Sequence, residues 1–470
     1  MPLARTFFAA VALAGALGAQ QPVRERPLGP VTHASKELLG AVSQARQLPD
    51  GRVIINDLNG RKVVLFDTTL ASYAVIADTT SATANAYSSR AGGLIPWKGD
   101  TTLFVDPQSL SMLVLDGQGK IARVMSVPRA NEAGLLIGGP NGTPGTDRDG
   151  RLLFRGMPAF RMSMPAAGGD HNHSSGATAQ PSMPDSAPLM RMDLATRKVD
   201  TLAYLKIPKS SVLVSRDDAG RMSVNVTMNP LPTVDDWAIL SDGSVAVLRG
   251  QDYHIEWTRP DGTKATTPKV PFDWKRMTEE DKIAFLDSAR VAMEKVRSAA
   301  MSGNTGAMQA GAAAVMGGGV AGLGGGGGGQ QLRVQIGGDG PMPPMRGGGE
   351  GGRGGADIHT DGRGGGEGGR GGFGGVNVPP INMVSPSELP DYAPPFQAGS
   401  ARGDLDGNMW VRTTKVVQGG SVYDVINAKG ELIDRVLMPA GRVIAGFGHG
   451  VVYMGVRDGA GVRLEVAKMK

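Results

Sequence analysis

The sequence contains no cysteine. Disulfide stapling, thiolate catalysis and cysteine-ligated zinc or iron–sulfur centres are therefore excluded. Long apolar runs are missing too: no stretch reaches the roughly 20 residues that a membrane-spanning helix needs. Aromatic residues make up only 5% of the chain. A marked excess of one charge is also lacking. With 49 Lys and Arg against 44 Asp and Glu, the net charge is +5 over 470 residues, too small to imply a polyanionic partner. Hydrophobic residues at 40% still suffice for a core.

What is abundant is glycine, 71 residues, concentrated in one tract over residues 299–375. It contains "GGGEGGRGGADIHTDGRGGGEGGRGGFGG" (347–375), which mimics an RNA-binding box. Such boxes work through uncompensated positive charge, whereas residues 317–375 hold five Arg and five acids. The tract is neutral, has almost nothing to bury, and reads as a flexible insertion with no nucleic-acid role. "QLRVQI" (331–336) is its one strand-like island.

The first residues, "MPLARTFFAAVALAGALGAQ", have a basic start at Arg5, a short apolar stretch from Phe7 to Leu17, and small residues at Ala16, Gly18 and Ala19. This pattern predicts a cleaved secretory leader over 1–19 and a periplasmic or secreted product.

Between these segments the sequence repeats itself. "LPDGRVIIND" (48–57), "KGDTTLFVDP" (98–107), "DRDGRLLFRG" (147–156), "LSDGSVAVLRG" (240–250), "DLDGNMWVRTT" (404–414) and "GHGVVYMGVRD" (448–458) each join a strand end, a glycine-containing turn and a second strand. Most are followed by another hairpin, as in "RKVVLFDTTLASYAVI" (61–76) and "SVYDVINAKGELIDRVLMP" (421–439). Asp-Gly and Asn-Gly dipeptides suit such turns because they tolerate positive φ. A unit of four short antiparallel strands every 40–50 residues is the signature of a β-propeller blade. The six anchors predict an all-β, six-bladed β-propeller, over residues 28–298 (blades one to four) and 376–470 (blades five and six). Residues 28–40 are placed to join the last blade and close the ring. "SVLVSRDDAGRMSVNVT" (211–227) either extends blade three or forms a degenerate seventh blade. A helix over 278–297 breaks the β pattern. Thr278 and Asp281 form its capping box, and Ile283, Leu286, Ala289, Met293 and Val296 form its apolar face.

The turn "DLDGN" spaces Asp404, Asp406 and Asn408 like the start of a calcium loop. The downstream acid that such a loop requires is replaced by Trp410, Val411 and Arg412, so the segment reads as a hairpin turn with Trp410 packed between blades.

"DLDGNMWVRT" resembles the D-G-N-x-W-x-x-T hairpin of two-component-regulator and streptogramin-lyase-like propellers, and "GRVIINDLNGRKVVLFD" resembles an NHL repeat. Over the blades the chain is similar to the secreted six-bladed propellers of bacteria. The resemblance implies the fold, and only weakly a function. None of His33, His254 and His449 matches the lyase-type catalytic histidine. Calcium-dependent lactonases of this shape draw Glu, Asn and Asp from separate blades. Asn56, Asn225, Asn229 and Asp236 are of the right types, but no spacing singles them out.

Two groups of residues are site candidates. The first charged residue after each second strand is Asp57, Asp106, Arg155, Arg249, Arg412 or Arg457. If these converge on the channel mouth they would seat a small anionic or zwitterionic ligand. The other group lies in a Met-, His- and Pro-rich loop over 156–188, where Met162, Met164, His171 and His173 have the thioether and imidazole chemistry that suits copper. The resulting expectation is an exported, monomeric, non-enzymatic binding or scaffolding module without a cofactor, taking a protein, a peptide or a small anion as partner. Its rivals are a propeller hydrolase or lyase with a metal such as calcium in the channel, and an exported copper-binding protein.

Overall fold

The computed structural model of the chain describes residues 23–80, 85–88, 92–159, 184–209, 211–216, 222–301, 381–418, 420–459 and 461–470. The leader, Met162, Met164, His171, His173 and nearly all of the glycine-rich tract lie outside the described residues.

Six antiparallel sheets form the six blades of a β-propeller. Their innermost strands are Val42–Gln47, Gly93–Pro96, Gly145–Thr146, Asp236–Ile239, Phe396–Gly403 and Arg442–Gly448. Each anchor motif is the turn between the innermost and second strands of its blade. A glycine with positive φ occupies that turn in all six, at Gly51, Gly99, Gly150, Gly243, Gly407 and Gly450. At Gly407 the Asp404 carboxylate accepts hydrogen bonds from the amides of Asp406 (2.9 Å) and Asn408 (2.7 Å), the Asn408 side chain (3.0 Å) and Trp410 Nε1 (3.0 Å). Those oxygens are turned to N–H donors, as a hairpin turn requires.

The core lies between blades. Six apolar clusters are each drawn from two neighbouring blades. Phe104 of blade two, for example, packs with Ile54 and Leu65 of blade one, and Trp410 of blade five packs with Phe447 and Met454 of blade six. Alternating β-branched and aromatic residues form strands because each blade has both faces covered by neighbours.

The ring is closed by the N-terminal segment. Val31–Ala34 adds to Gly461–Lys468 as the outermost strand of blade six. Glu25–Pro27 runs parallel to Leu432–Met438 on blade five, where Arg26 Nε donates to Asp434 at 2.8 Å. The hairpin of Ser211–Arg216 and Met222–Met228 is neither an extension of blade three nor a seventh blade. It forms a separate three-stranded sheet with Ile381–Met383, without the four-strand ladder of the other units.

The helix spans Glu279–Met301. Thr278 and Asp281 cap it reciprocally, amide to side chain, at 3.1 and 3.2 Å. Leu286 and Ala289 are buried, Leu286 against Leu231 and Leu389. Ile283, expected on the apolar face, is instead exposed, and Phe285, two residues on, packs against the cluster of Leu231, Leu286 and Leu389.

Because the apolar core is interfacial, its loss should be costly at any blade boundary. Phe104→Ala is expected to lower the unfolding free energy by about 3–5 kcal/mol in urea denaturation. Val124→Ala, on the exposed outer strand of the same blade, should change it by less than about 0.5 kcal/mol.

Candidate functional site

The innermost strands enclose a cavity of about 580 Å³ that runs along the ring channel. Its wall is rich in backbone, with Gly138, Gly139, Gly399, Gly403 and Gly446 among its residues. Small residues are required where six strands approach one axis. The charged side chains that line it are Arg46, Arg402, Asp404, Arg412 and His449.

Arg412 reaches the cavity from a second strand because the innermost strand of blade five is bulged. Phe396 pairs with Thr413 and Ala401 with Val411, so residues 397–400 all oppose Arg412. Such a bulge re-aims side chains. Here it exposes Arg412 and its ladder partner Tyr423 on the third strand. The bulge depends on Gly399, whose φ is +78° and where a Cβ would meet the carbonyl oxygen of Gly139 at 2.4 Å.

Asp236, the first residue of blade four's innermost strand, holds the bulge in place. Its carboxylate accepts the Ala401 amide at 2.8 Å, and the nearby amides of Trp237, Gly399 and Ser400 also favour its charged form. Asp236 is buried, and that burial pushes its pKa up to about 6 against the pull of these amides. Its field in turn supports the guanidiniums of Arg155 and Arg402, whose pKa values burial lowers.

The cationic lining finds mostly neutral acceptors. Arg46 donates to the carbonyl oxygen of Gly99 at 2.9 Å and to the Thr101 carbonyl and Thr102 hydroxyl. Burial lowers its pKa to about 10, against the attraction of Asp100. Arg402 donates to the Ile444 carbonyl at 2.7 Å. Burial is the main cause of its lowered pKa, and Arg412 adds repulsion. Burial raises the Tyr423 phenol while both arginines oppose that rise. At the rim His449 Nδ1 lies 3.4 Å from Asp406 Oδ1, and the next amide, of Gly450, donates to Asp406 at 3.0 Å.

Of the six charged residues that the repeat pointed to, only Arg412 lines this cavity. Asp57 accepts the amides of Gly40, Ala41 and Gly60 at 3.0, 2.8 and 2.9 Å. Asp106 accepts the Ser88 amide and hydroxyl and the Ser109 hydroxyl at 2.8, 2.6 and 2.7 Å. Those hydrogen bonds outweigh its burial and lower its pKa. Arg155 donates to the Asn141 side chain behind the channel wall. Arg249 pairs with Asp235 at 2.7 Å and Glu256 at 2.5 Å. Arg457 is exposed at the far end of its strand. Second-strand ends close turns, and there carboxylates satisfy backbone amides instead of facing the axis. Among the described residues no three His, Asp or Glu side chains converge as a metal site. The donors in the channel are mainly guanidiniums, so its chemistry does not fit calcium. Sequence reasoning missed Arg46, Arg402 and Tyr423, and set His449 aside as matching no catalytic context. The only written signal was "QAGSARG" (397–403), a glycine within a strand pattern, which marks a bulge.

No family model matches the chain, and no curated protein matches it. Solved structures similar to it include a gluconolactonase from Xanthomonas campestris, at 11% identity over 94% of this chain and 99% of that one, with a TM-score of 0.36. They also include the PQQ-bound aldose sugar dehydrogenase of Streptomyces coelicolor, at 10% identity over 95% and 99%, TM-score 0.34. Virginiamycin B lyase from Staphylococcus aureus matches at 8% identity over 52% and 74%, TM-score 0.26. These proteins are named as enzymes. The expectation of a non-enzymatic binding or scaffolding module is not carried further: none of these similar structures is named as such a module.

Asp236 makes a signed prediction about pH. Its folded pKa lies above the unfolded value, so its contribution to stability is full below the unfolded pKa, near 4, and is lost as pH rises through about 6. The loss amounts to about 3 kcal/mol. Asp236→Asn should remove that component, so the difference in unfolding free energy between parent and variant should change by this amount between pH 4 and 7. An unchanged difference would place the carboxylate in a setting where its charge costs nothing.

Proposed function

We propose that the chain is a propeller hydrolase or lyase that works on a small anionic substrate inside the ring channel. The observation that carries the reading is the pairing of Arg402 and Arg412 in one cavity wall, beside the Tyr423 phenol, opened by the bulge of residues 397–400. Two guanidiniums near one another repel, and an anionic group between them relieves that repulsion. Their planar forks match carboxylate or phosphate. In a partly enclosed site they would also stabilise negative charge that develops on a substrate oxygen. Tyr423, kept protonated by burial, is a hydrogen-bond donor for the same oxygen.

The proton carrier in this reading is His449. Imidazole is the side chain best suited to accept and return a proton near neutral pH. Asp406 beside Nδ1 orients the ring, which leaves Nε2 for the substrate.

The test is turnover of a panel of carboxylate-bearing lactones, esters and elimination substrates by the purified protein. Arg402→Gln and Arg412→Gln should raise KM with the larger effect on the most acidic substrates. His449→Gln should lower kcat by about 10²-fold with unfolding unchanged, because its side chain is exposed. Turnover that all three variants retain would refute the assignment, and so would a panel that gives neither turnover nor binding.

Export is part of the same proposal. Glu25–Pro27 and Val31–Ala34, which pair with blades five and six, both follow residue 19, so loss of residues 1–19 would leave the closing strand intact. N-terminal sequencing of protein from the periplasm or culture medium should begin near Ala19 or Gln20. An intact Met1 there would overturn it.

A further inference from the structure

Outside the channel, the crevice between blades three and four gathers four arginines around a volume of about 110 Å³: Arg148, Arg151, Arg191 and Arg259. Their acceptors are unevenly distributed. Arg151 takes both carboxylates that line the crevice, Asp147 at 2.7 Å and Asp149 at 2.7 Å. Arg259 donates to the Ala428 carbonyl at 2.6 Å and lies 4.6 Å over the Trp257 ring. Among the described residues Arg191 reaches only the largely exposed Asp200, at 3.1 Å, and its Nε is a buried donor with no hydrogen-bond partner. Arg148 stands in the exposed turn of blade three, its Cγ against Gly243 of blade four. Among the described residues its guanidinium has neither an ion pair nor a hydrogen bond. Leu153, Leu202 and Val245 form an apolar floor, which strengthens charge interactions above it.

Two guanidiniums with donors to spare stand over an apolar floor, beside carboxylates already committed to a third. A buried N–H without an acceptor is costly, and a tetrahedral oxyanion would offer acceptors to both Arg191 and Arg148 at once. We infer that this crevice binds a phosphate-type oxyanion, either the free ion or the phosphate group of a larger ligand. The anion spans the boundary between blades three and four, so its binding would also fasten one blade to the next.

The experiment is calorimetric titration of the full mature chain with inorganic phosphate and, separately, glycerol 2-phosphate, at fixed ionic strength in chloride. Saturable binding is expected. Arg148→Ala, in an exposed turn that leaves the fold intact, should weaken it about tenfold, and Arg191→Gln by at least as much. Arg402→Gln, in the channel, should leave unchanged the component of binding that the crevice substitutions weaken, which separates this site from the proposed active site. Tighter binding of glycerol 2-phosphate would assign the site to an organic phosphate, and equal or weaker binding to the free ion. Absence of saturable binding would overturn the inference. Binding that neither crevice substitution weakens, or that is lost only with Arg402→Gln, would do so as well.

Discussion

No blade of this propeller holds a core of its own. Every large apolar cluster around the ring is shared by two neighbouring sheets, and a four-stranded sheet of five-residue strands cannot bury enough surface to be stable alone. The ring therefore has to close for any blade to persist. Closure rests on Val31–Ala34, which pairs with the C-terminal strand through His33 and Val466, more than four hundred residues apart. The adjoining Arg26 ties the same segment to Asp434 of blade five and to the carbonyl of Met469. Once closed, the frame fixes the spacing of six innermost strands, and that spacing leaves the channel.

The frame departs from regularity where the cavity gains its chemistry. In blade five, four residues replace one opposite Arg412. The departure is held by a buried carboxylate whose ionisation is disfavoured, Asp236. A buried acid surrounded by amide donors is a weak means of adding stability, and an apolar residue there would pack a regular strand better. The cost falls at a position that opens a path from the axis to the second and third strands. The irregularity is thus tied to what it exposes, Arg412 and Tyr423.

The frame was legible in the sequence for a physical reason. Turn chemistry is local, so "PDG", "DRDG", "SDG" and "LDG" marked their hairpins without knowledge of tertiary structure, and the blade count followed. The hairpin at 211–227 was ambiguous because pairing partners are not local. Its third strand, Ile381–Met383, comes from the far side of the long insertion. The site was less legible still. Arg402 and Tyr423 lie in strands whose alternation does not say which face meets the axis, and an irregularity of a few residues changes the answer. Asp57 and Asp106 looked like rim charges in sequence, yet their oxygens are consumed by amides and hydroxyls two to eighteen residues away.

The arginines show why positive charge accumulates in the interior. Arg46, Arg259 and Arg402 each cross a blade boundary and donate to a backbone carbonyl of the neighbour, those of Gly99, Ala428 and Ile444. A guanidinium suits this task because it offers several donors on a long stem. Bonded to a carbonyl instead of a carboxylate, however, it keeps its full charge. Stapling of this kind therefore stabilises the ring while leaving a positive field in the channel and at blade boundaries. Carboxylates could cancel that field, but the turn acids are already engaged with amides, as Asp404 and Asp57 are. The anion affinity proposed for the channel would then be a consequence of how the blades are joined, and the proposed catalysis would require only that the cation pair meet a proton carrier at the rim.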